Sequence, residues 1–155
     1  MLCPGLVVAR RLSYLAETYR LLPENHFGGP PNTSAEQALN LLVEKIHEAW
    51  RVYKTLSLVS FDVQGAFNGV HPSVLAERLC ERRIPGDLVA WVESFCNRRK
   101  ASVVVSDHES AVQEIEHAGI PQGSPLSPIL YVFYNANLVQ GPINKSEGSI
   151  GFIDD

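Results

Sequence analysis

The sequence has no apolar run long enough to span a membrane and few cysteines that could cross-link the chain. Its longest uninterrupted apolar stretch is residues 129–134, far short of the roughly 20 residues that cross a bilayer. The N-terminus lacks the charged and then apolar pattern of a secretory signal. Cys3, Cys80 and Cys96 show no CxxC spacing, which argues against a zinc cage or a disulfide framework. We therefore expect a reduced, intracellular protein without a membrane span.

Positive charge is also scarce. The chain has 13 Lys and Arg against 17 Asp and Glu, a formal charge of −4, whereas affinity for nucleic-acid phosphates comes mainly from clustered cations. The basic residues nevertheless form two local clusters, Arg78, Arg82 and Arg83, and Arg98, Arg99 and Lys100. Each cluster either contacts phosphates or is a solvated helix end stabilised by the helix dipole, and the sequence leaves both interpretations open.

The size and apolar content suit one globular domain, since the chain has 155 residues of which 45% are apolar. Apolar periodicity and Pro/Gly positions predict helices at residues 7–22, 34–50, 72–83, 86–97 and 125–138. They also predict buried strands at 56–61 and 149–153 and a hairpin from 100–106 and 111–117. Ser34 and Gln37 have the spacing of a capping box, so the helix at 34–50 has a defined start.

Three segments carry the candidate chemistry. They are residues 60–67 (SFDVQGAF), 119–128 (GIPQGSPLSP) and 151–155 (GFIDD). Asp62 and the pair Asp154 and Asp155 each end an apolar run, and the middle segment is a Gly/Pro turn that opens into a helix. Carboxylates at strand ends beside a glycine-rich turn suit two divalent cations and a polyphosphate. The pattern therefore indicates nucleotidyl transfer.

In this order the segments resemble the polymerase core of reverse transcriptases, and most of all those of LINE-like, non-LTR retrotransposons of fungal type. The resemblance runs from about residue 22 to residue 155, and nearly every position of 119–128 fits it. It implies an α/β fingers–palm fragment, a mixed sheet backed by helices, without a thumb. Residues 1–55 and 98–118 would be fingers-like, and residues 56–97 and 119–155 palm-like. We expect such a fragment to be inactive alone.

The resemblance also implies a two-metal RNA-directed DNA polymerase. Asp62, Asp154 and Asp155 would be catalytic and, with Val63, would hold Mg²⁺ or Mn²⁺. The partners would be an RNA template, a DNA primer and dNTPs, and the location nuclear if the retrotransposon protein is functional.

The same resemblance assigns the nucleotide and nucleic-acid contacts. The nucleotide site would consist of Ala66, Phe67, Gln122, Gly123 and Ser124, and the nucleic-acid contacts would be Arg98, Arg99 and Lys100. The Phe67 ring would exclude a ribose 2′-hydroxyl, the group that separates RNA from DNA precursors.

Simpler interpretations remain open beside these roles. Asp62 could cap a turn, Phe67 could be a core residue, and residues 119–128 could be a plain loop that enters a helix. Pro30 and Thr33 stand where the family usually has arginine, whose planar fork grips phosphate. The alternatives for function are an inactive, decayed retrotransposon remnant and, with only the acids in its favour, a metal-dependent hydrolase.

Overall fold

The structure is a computed structural model that describes residues 3–28, 34–97, 99–115, 118–140 and 148–152. Within these stretches the chain forms helices and very short strands. The helices are α1 (Pro4–Thr18), α2 (Ala35–Arg51), α3 (Pro72–Glu81), α4 (Gly86–Cys96) and α5 (Ser127–Val139). The strands are β1 (His26–Phe27), β2 (Lys100–Ala101), β3 (Val104–Val105), β4 (His108–Glu109), β5 (Gln113–Glu114) and β6 (Gly151–Phe152). Helices with small sheets place the chain in the α/β class.

Local sequence explains where the helices begin. Pro4 opens α1 and Pro72 opens α3, at positions where the missing N–H costs no helical hydrogen bond. At the start of α2, Ser34 Oγ accepts from the Gln37 N–H at 3.3 Å, and Gln37 Oε1 accepts from the Ser34 N–H at 2.9 Å. The predicted capping box is thus confirmed, and such a cap contributes about 1 kcal/mol.

Four helices enclose the hydrophobic core. Helix α3 packs on α4 and α5, and α1 packs on α5. The largest side chains with no exposed surface come from α1, α3, α5 and the segment before α5: Leu12, Leu75, Leu79, Ile120, Leu126, Leu130 and Phe133. Each such side chain contributes about 1.5–3 kcal/mol by burial. The core thereby holds α5 in place, together with the Gly/Pro turn before it.

The predicted hairpin is present, but its turn lies at residues 106–107, and His108 and Glu109, predicted to link the strands, form β4. Strand β2 pairs antiparallel with β5, Lys100 opposite Glu114, and β3 pairs antiparallel with β4, Val104 opposite Glu109. All four strands are exposed.

The prediction of a buried strand at residues 56–61 is wrong. Residues 54–63 form neither helix nor strand, and Leu58, Val59 and Phe61 are 63%, 69% and 87% exposed. An apolar strand is buried only when neighbouring strands and helices cover it, and within the described stretches this segment has no strand partner. In place of the predicted mixed sheet, the described residues form three separate two-stranded pairs.

The predicted strand at residues 149–153 is present in part as β6, but its partner is β1. The two run parallel, with His26 opposite Gly151 and Phe27 opposite Phe152. Asn25 Nδ2 donates to the Ser149 carbonyl at 2.6 Å and to the last carbonyl of α5, that of Val139, at 2.8 Å. These bonds fasten β6 to the C-terminal end of α5.

Helix α2 is amphipathic as predicted, yet the core does not cover its apolar face. It has no buried residue, and Leu39 and Trp50 are 59% and 63% exposed.

In the described stretches no helix is both long enough and apolar enough to cross a bilayer.

Candidate functional site

The Gly/Pro turn lies directly against the chain that follows Asp62. The Ile120 N–H donates to the Phe67 carbonyl oxygen at 3.0 Å. Gly119 has a φ of +56°, and a Cβ atom there would lie 2.1 Å from the same oxygen. No side chain can be placed so close to backbone, so only glycine fits this position. Two of the three segments singled out in the sequence are therefore in contact.

Hydrogen bonds to one carbonyl hold the shape of the turn. The Pro121 oxygen accepts from the Ser124 N–H at 3.2 Å and from Ser127 Oγ at 2.6 Å. Gly123 adopts a φ of +86°, which glycine tolerates without strain. Gln122 and Gly123 are exposed and Ser124 is half-buried. The predicted nucleotide-binding residues of this turn thus lie at the surface, at the N-terminal end of α5.

Phe67 packs against α5. Its half-buried ring meets Tyr131 edge to face, with the ring centroids 5.4 Å apart and the planes at 62°. Such pairs contribute about 0.5–1.5 kcal/mol beyond burial, and the neighbouring Ala66 is 7% exposed. The ring is thereby held in one place beside the turn. This position fits a steric gate and also fits a core residue, so both interpretations remain.

A cavity of about 380 Å³ opens where the turn meets Asn68 and the base of the hairpin. Its lining residues are Asn68, Arg99, Ile115, Ala118, Ile120, Pro121 and Gln122. Arg99 is held at this cavity because its Nη1 donates to the Ala118 carbonyl at 3.2 Å. The sequence did not single out Asn68 or Ala118. The sequence pointed to these two residues only in that Asn68 follows Phe67 and Ala118 precedes Gly119.

The predicted metal ligands are not all within the described residues. Asp62 is exposed, and the adjacent Val63 has only its main-chain carbonyl oxygen to offer a cation. Asp154 and Asp155 lie outside the described residues. Elsewhere in the described part of the chain, no three His, Cys, Asp or Glu side chains lie close enough to hold a metal ion. The oxygen donors are of the kind that Mg²⁺ prefers.

The basic cluster at residues 98–100 is also only partly described. Arg99 lines the cavity and Lys100 is exposed in β2, while Arg98 falls outside the described residues. Of the predicted site residues, the structure therefore brings Gln122 and Arg99 together at one cavity. Phe67 precedes Asn68, which lines the cavity, and Asp62 lies in the exposed segment before them.

Comparison with known proteins gives a consistent result. Residues 7–155 match the family described as reverse transcriptase (RNA-dependent DNA polymerase). No solved structure matches the chain significantly.

The curated relatives come from mobile elements of flies. The chain is 28% identical over 132 residues to the probable RNA-directed DNA polymerase from transposon BS of Drosophila melanogaster, covering 85% of this chain and 14% of that protein. It is 30% identical over 133 residues to the RNA-directed DNA polymerase from mobile element jockey of Drosophila funebris, with the same coverage of 85% and 14%. The chain thus spans about one seventh of the length of these relatives. The predicted resemblance to elements of fungal type stays a prediction.

Proposed function

Since the chain belongs to the reverse transcriptase family, we propose that it is the part of a LINE-like RNA-directed DNA polymerase that binds the incoming nucleotide and holds the catalytic carboxylates. The partners would be an RNA template, a DNA primer and dNTPs, as the relatives' names suggest. Residues 56–97 and 119–155 would be palm-like and the remainder fingers-like. The activity of the whole protein is part of the proposal, because the chain covers only a small share of its relatives.

The contact between residues 119–120 and Phe67 is the observation that carries this proposal. It joins the segment after Asp62 to the segment after Gly119, although 52 positions separate Phe67 from Gly119 in the chain. The contact creates a cavity at the N-terminal end of a buried helix, with Gln122 and Arg99 at its wall. An amide and a guanidinium can donate hydrogen bonds to a nucleotide, and the nearby helix N-terminus favours negative charge.

Each residue then has a proposed role. Phe67, held by Tyr131, would lie under the sugar and exclude a 2′-hydroxyl. Asp62, Asp154 and Asp155 would hold two Mg²⁺ ions, with the Val63 carbonyl beside them. Such ions, when bound, make a primer 3′-hydroxyl more acidic and neutralise the leaving pyrophosphate. The protein's own contribution is position and charge.

A decayed, inactive remnant is the second candidate. The observation in its favour is that residues 58–63, which lead to Asp62 and include it, are exposed and outside any sheet. A catalytic carboxylate needs a rigid support to hold its geometry. Pro30 and Thr33, in place of the family's arginines, point the same way.

Primer extension by a chimera tests the proposal. Residues 7–155, with Pro30→Arg and Thr33→Arg, replace the matching segment of the jockey protein, and the chimera is given a DNA primer on an RNA template. Extension is expected, and Asp154→Asn should abolish it because one negative ligand is lost. Asp107→Asn, in the exposed hairpin turn, is the matched control and should leave extension unchanged.

The outcomes separate the two candidates. Extension that survives Asp154→Asn would remove this carboxylate from the mechanism. A folded chimera without any extension would favour the inactive remnant.

A further inference from the structure

Three arginines surround a second cleft, far from the proposed nucleotide site. The cleft has a volume of about 480 Å³ and is lined by Arg20, Leu21, Glu81, Arg82, Arg83, Asn137 and Gln140. It lies at the C-terminal end of α5, whereas the Gly/Pro turn lies at the N-terminal end. A helix rises 1.5 Å per residue, so roughly 15–20 Å separates the two places. The cleft is therefore separate from the nucleotide cavity.

Positive charge predominates in this cleft. Three guanidinium groups face one carboxylate, and that carboxylate, Glu81, is already paired with Arg78 at 2.9 Å. The chain as a whole carries a net charge of −4, so the cleft is a local departure from an acidic background. Within the stretches that the structure describes, the side chains of Arg20 and Arg83 make no hydrogen bond or ion pair. Two of the three guanidinium groups are thus available to a ligand.

The third guanidinium group, that of Arg82, lies at the wall of the cleft and is held there by hydrogen bonds. Its Nη1 donates to the Leu21 carbonyl, and its Nη2 donates to Asn137 Oδ1 and Gln140 Oε1, both at 2.7 Å. Its Nε is buried and has no hydrogen-bond partner. Burial lowers the pKa of Arg82, since desolvation disfavours the charged form. The group therefore joins the ends of α1, α3 and α5 and carries a charge that an anion would stabilise.

The backbone gives an independent reason to assign a role to the other two arginines. Arg20 and Arg83 each follow a helix end in the left-handed conformation, with φ of 49° and 59°. After each, a backbone bond closes the helix end: Leu21 N–H to the Ala16 oxygen and Ile84 N–H to the Leu79 oxygen, both at 3.0 Å. Glycine or asparagine is favoured at such positions, and a Cβ makes them unfavourable. Capping alone does not explain the two arginine side chains, which can also bind an anion.

From these observations we infer that the cleft lined by Arg20, Arg82 and Arg83 binds backbone phosphates of a single-stranded nucleic acid. The planar fork of arginine matches phosphate oxygens in two parallel hydrogen bonds. The choice of nucleic acid among phosphate-bearing ligands rests on the proposed function. The cleft would bind the nucleic acid at a second point, at the opposite end of α5 from the proposed nucleotide site.

Fluorescence anisotropy with a labelled, short single-stranded RNA and the 155-residue chain tests this inference. EDTA and the absence of dNTPs remove any contribution from a metal-dependent site. The test variant is Arg20→Asn/Arg83→Asn, because asparagine tolerates a positive φ better than arginine and Arg82 keeps its contacts. The control is Arg10→Gln/Arg11→Gln, which removes the same charge from exposed positions of α1 that do not line the cleft.

The expected result is a loss of affinity that depends on salt. Each phosphate contact contributes about 0.7 to the slope of log K against log salt for single strands. Losing two contacts should reduce the slope by about 1.4 and weaken binding roughly 25-fold at about 0.1 M salt. The control should change the affinity by less than about two-fold, because its charges lie away from the strand.

Several results would overturn the inference. They are unchanged binding by the test variant, an equal loss in the control, and no binding by the unaltered chain. Circular dichroism checks that each variant is folded, and Arg20→Gly/Arg83→Gly gives a second test variant if the first is not. None of these results bears on the metal site, which primer extension by the chimera tests separately.

Discussion

Replacing Gly119 by alanine tests the contact on which the proposed site depends. The new Cβ would lie 2.1 Å from the Phe67 oxygen and 2.7 Å from the Asn68 carbonyl carbon and oxygen. These are backbone atoms, so the neighbour cannot simply rotate away. The residue would also keep a φ of +56°, which L-residues adopt only at a cost.

The expected size of the effect follows from three contributions. The left-handed conformation costs about 1–2 kcal/mol for a residue with a Cβ. Relief of the overlap costs about 1–3 kcal/mol, as in other overpacked sites. Loss of the hydrogen bond from Ile120 to Phe67 costs about 1 kcal/mol. We therefore expect Gly119→Ala to lower the free energy of unfolding by about 3–6 kcal/mol, a large share of a typical total of about 5–15 kcal/mol.

Two other glycines provide matched controls. Gly123 has a φ of +86° but no heavy atom within 4 Å of an added Cβ, so Gly123→Ala should show only the conformational cost, about 1–2 kcal/mol. Gly86 opens α4, again with no atom within 4 Å and without a positive φ. Gly86→Ala should therefore be neutral or stabilise the chain by up to about 1 kcal/mol.

Urea unfolding of the 155-residue chain, followed by circular dichroism, measures the three free energies. The predicted order of destabilisation is Gly119 well above Gly123, and Gly123 above Gly86. If Gly119→Ala costs no more than Gly123→Ala, residues 67–68 do not lie against the turn. The proposed nucleotide cavity would then lose its basis.

Two further predictions concern aromatic and titratable side chains. Phe67→Ala in the chimera should raise rNTP incorporation relative to dNTP, because the ring no longer excludes the 2′-hydroxyl; a fixed ratio with lower activity would make Phe67 a core residue only. Burial, as the main cause, lowers the pKa of His26 below its ordinary value of 6.5, so the unfolded chain binds the proton more readily and stability should fall as the pH drops below about 6.5. His26→Gln should remove this loss of stability between about pH 8 and about pH 5, as measured by urea unfolding. His108→Gln, at an exposed position, is the control and should keep it. An equal effect of the two substitutions would refute the assignment to His26.

The prediction of a buried strand at residues 56–61 is wrong for a physical reason. Residues 56–61 have the apolar content of a buried strand, yet burial depends on partners that lie far along the chain. The other predicted buried strand, present in part as β6, pairs with β1, and Asn25 secures that pairing through bonds to Ser149 and Val139. No pattern within residues 56–61 reports which segment will pair with them.

Local interactions are what the sequence by itself determined. The capping box of Ser34 and Gln37, the prolines that open α1 and α3, and the exposed hairpin at residues 100–114 all depend on neighbours close along the chain. The residues and the order of the three motif segments were likewise enough to indicate the family. Such features can be predicted because each depends on residues within one short stretch.

Only the tertiary structure decided which distant segments meet. It set Gly119 against Phe67, and it gathered Arg20, Arg82 and Arg83 from two helix ends into one cleft. In the sequence, Arg20 stands 62 positions from Arg82 and belonged to neither basic cluster. Packing of α1, α3 and α5 around a shared core brings these charges together, and long-range packing of this kind depends on the whole apolar surface and not on any local pattern.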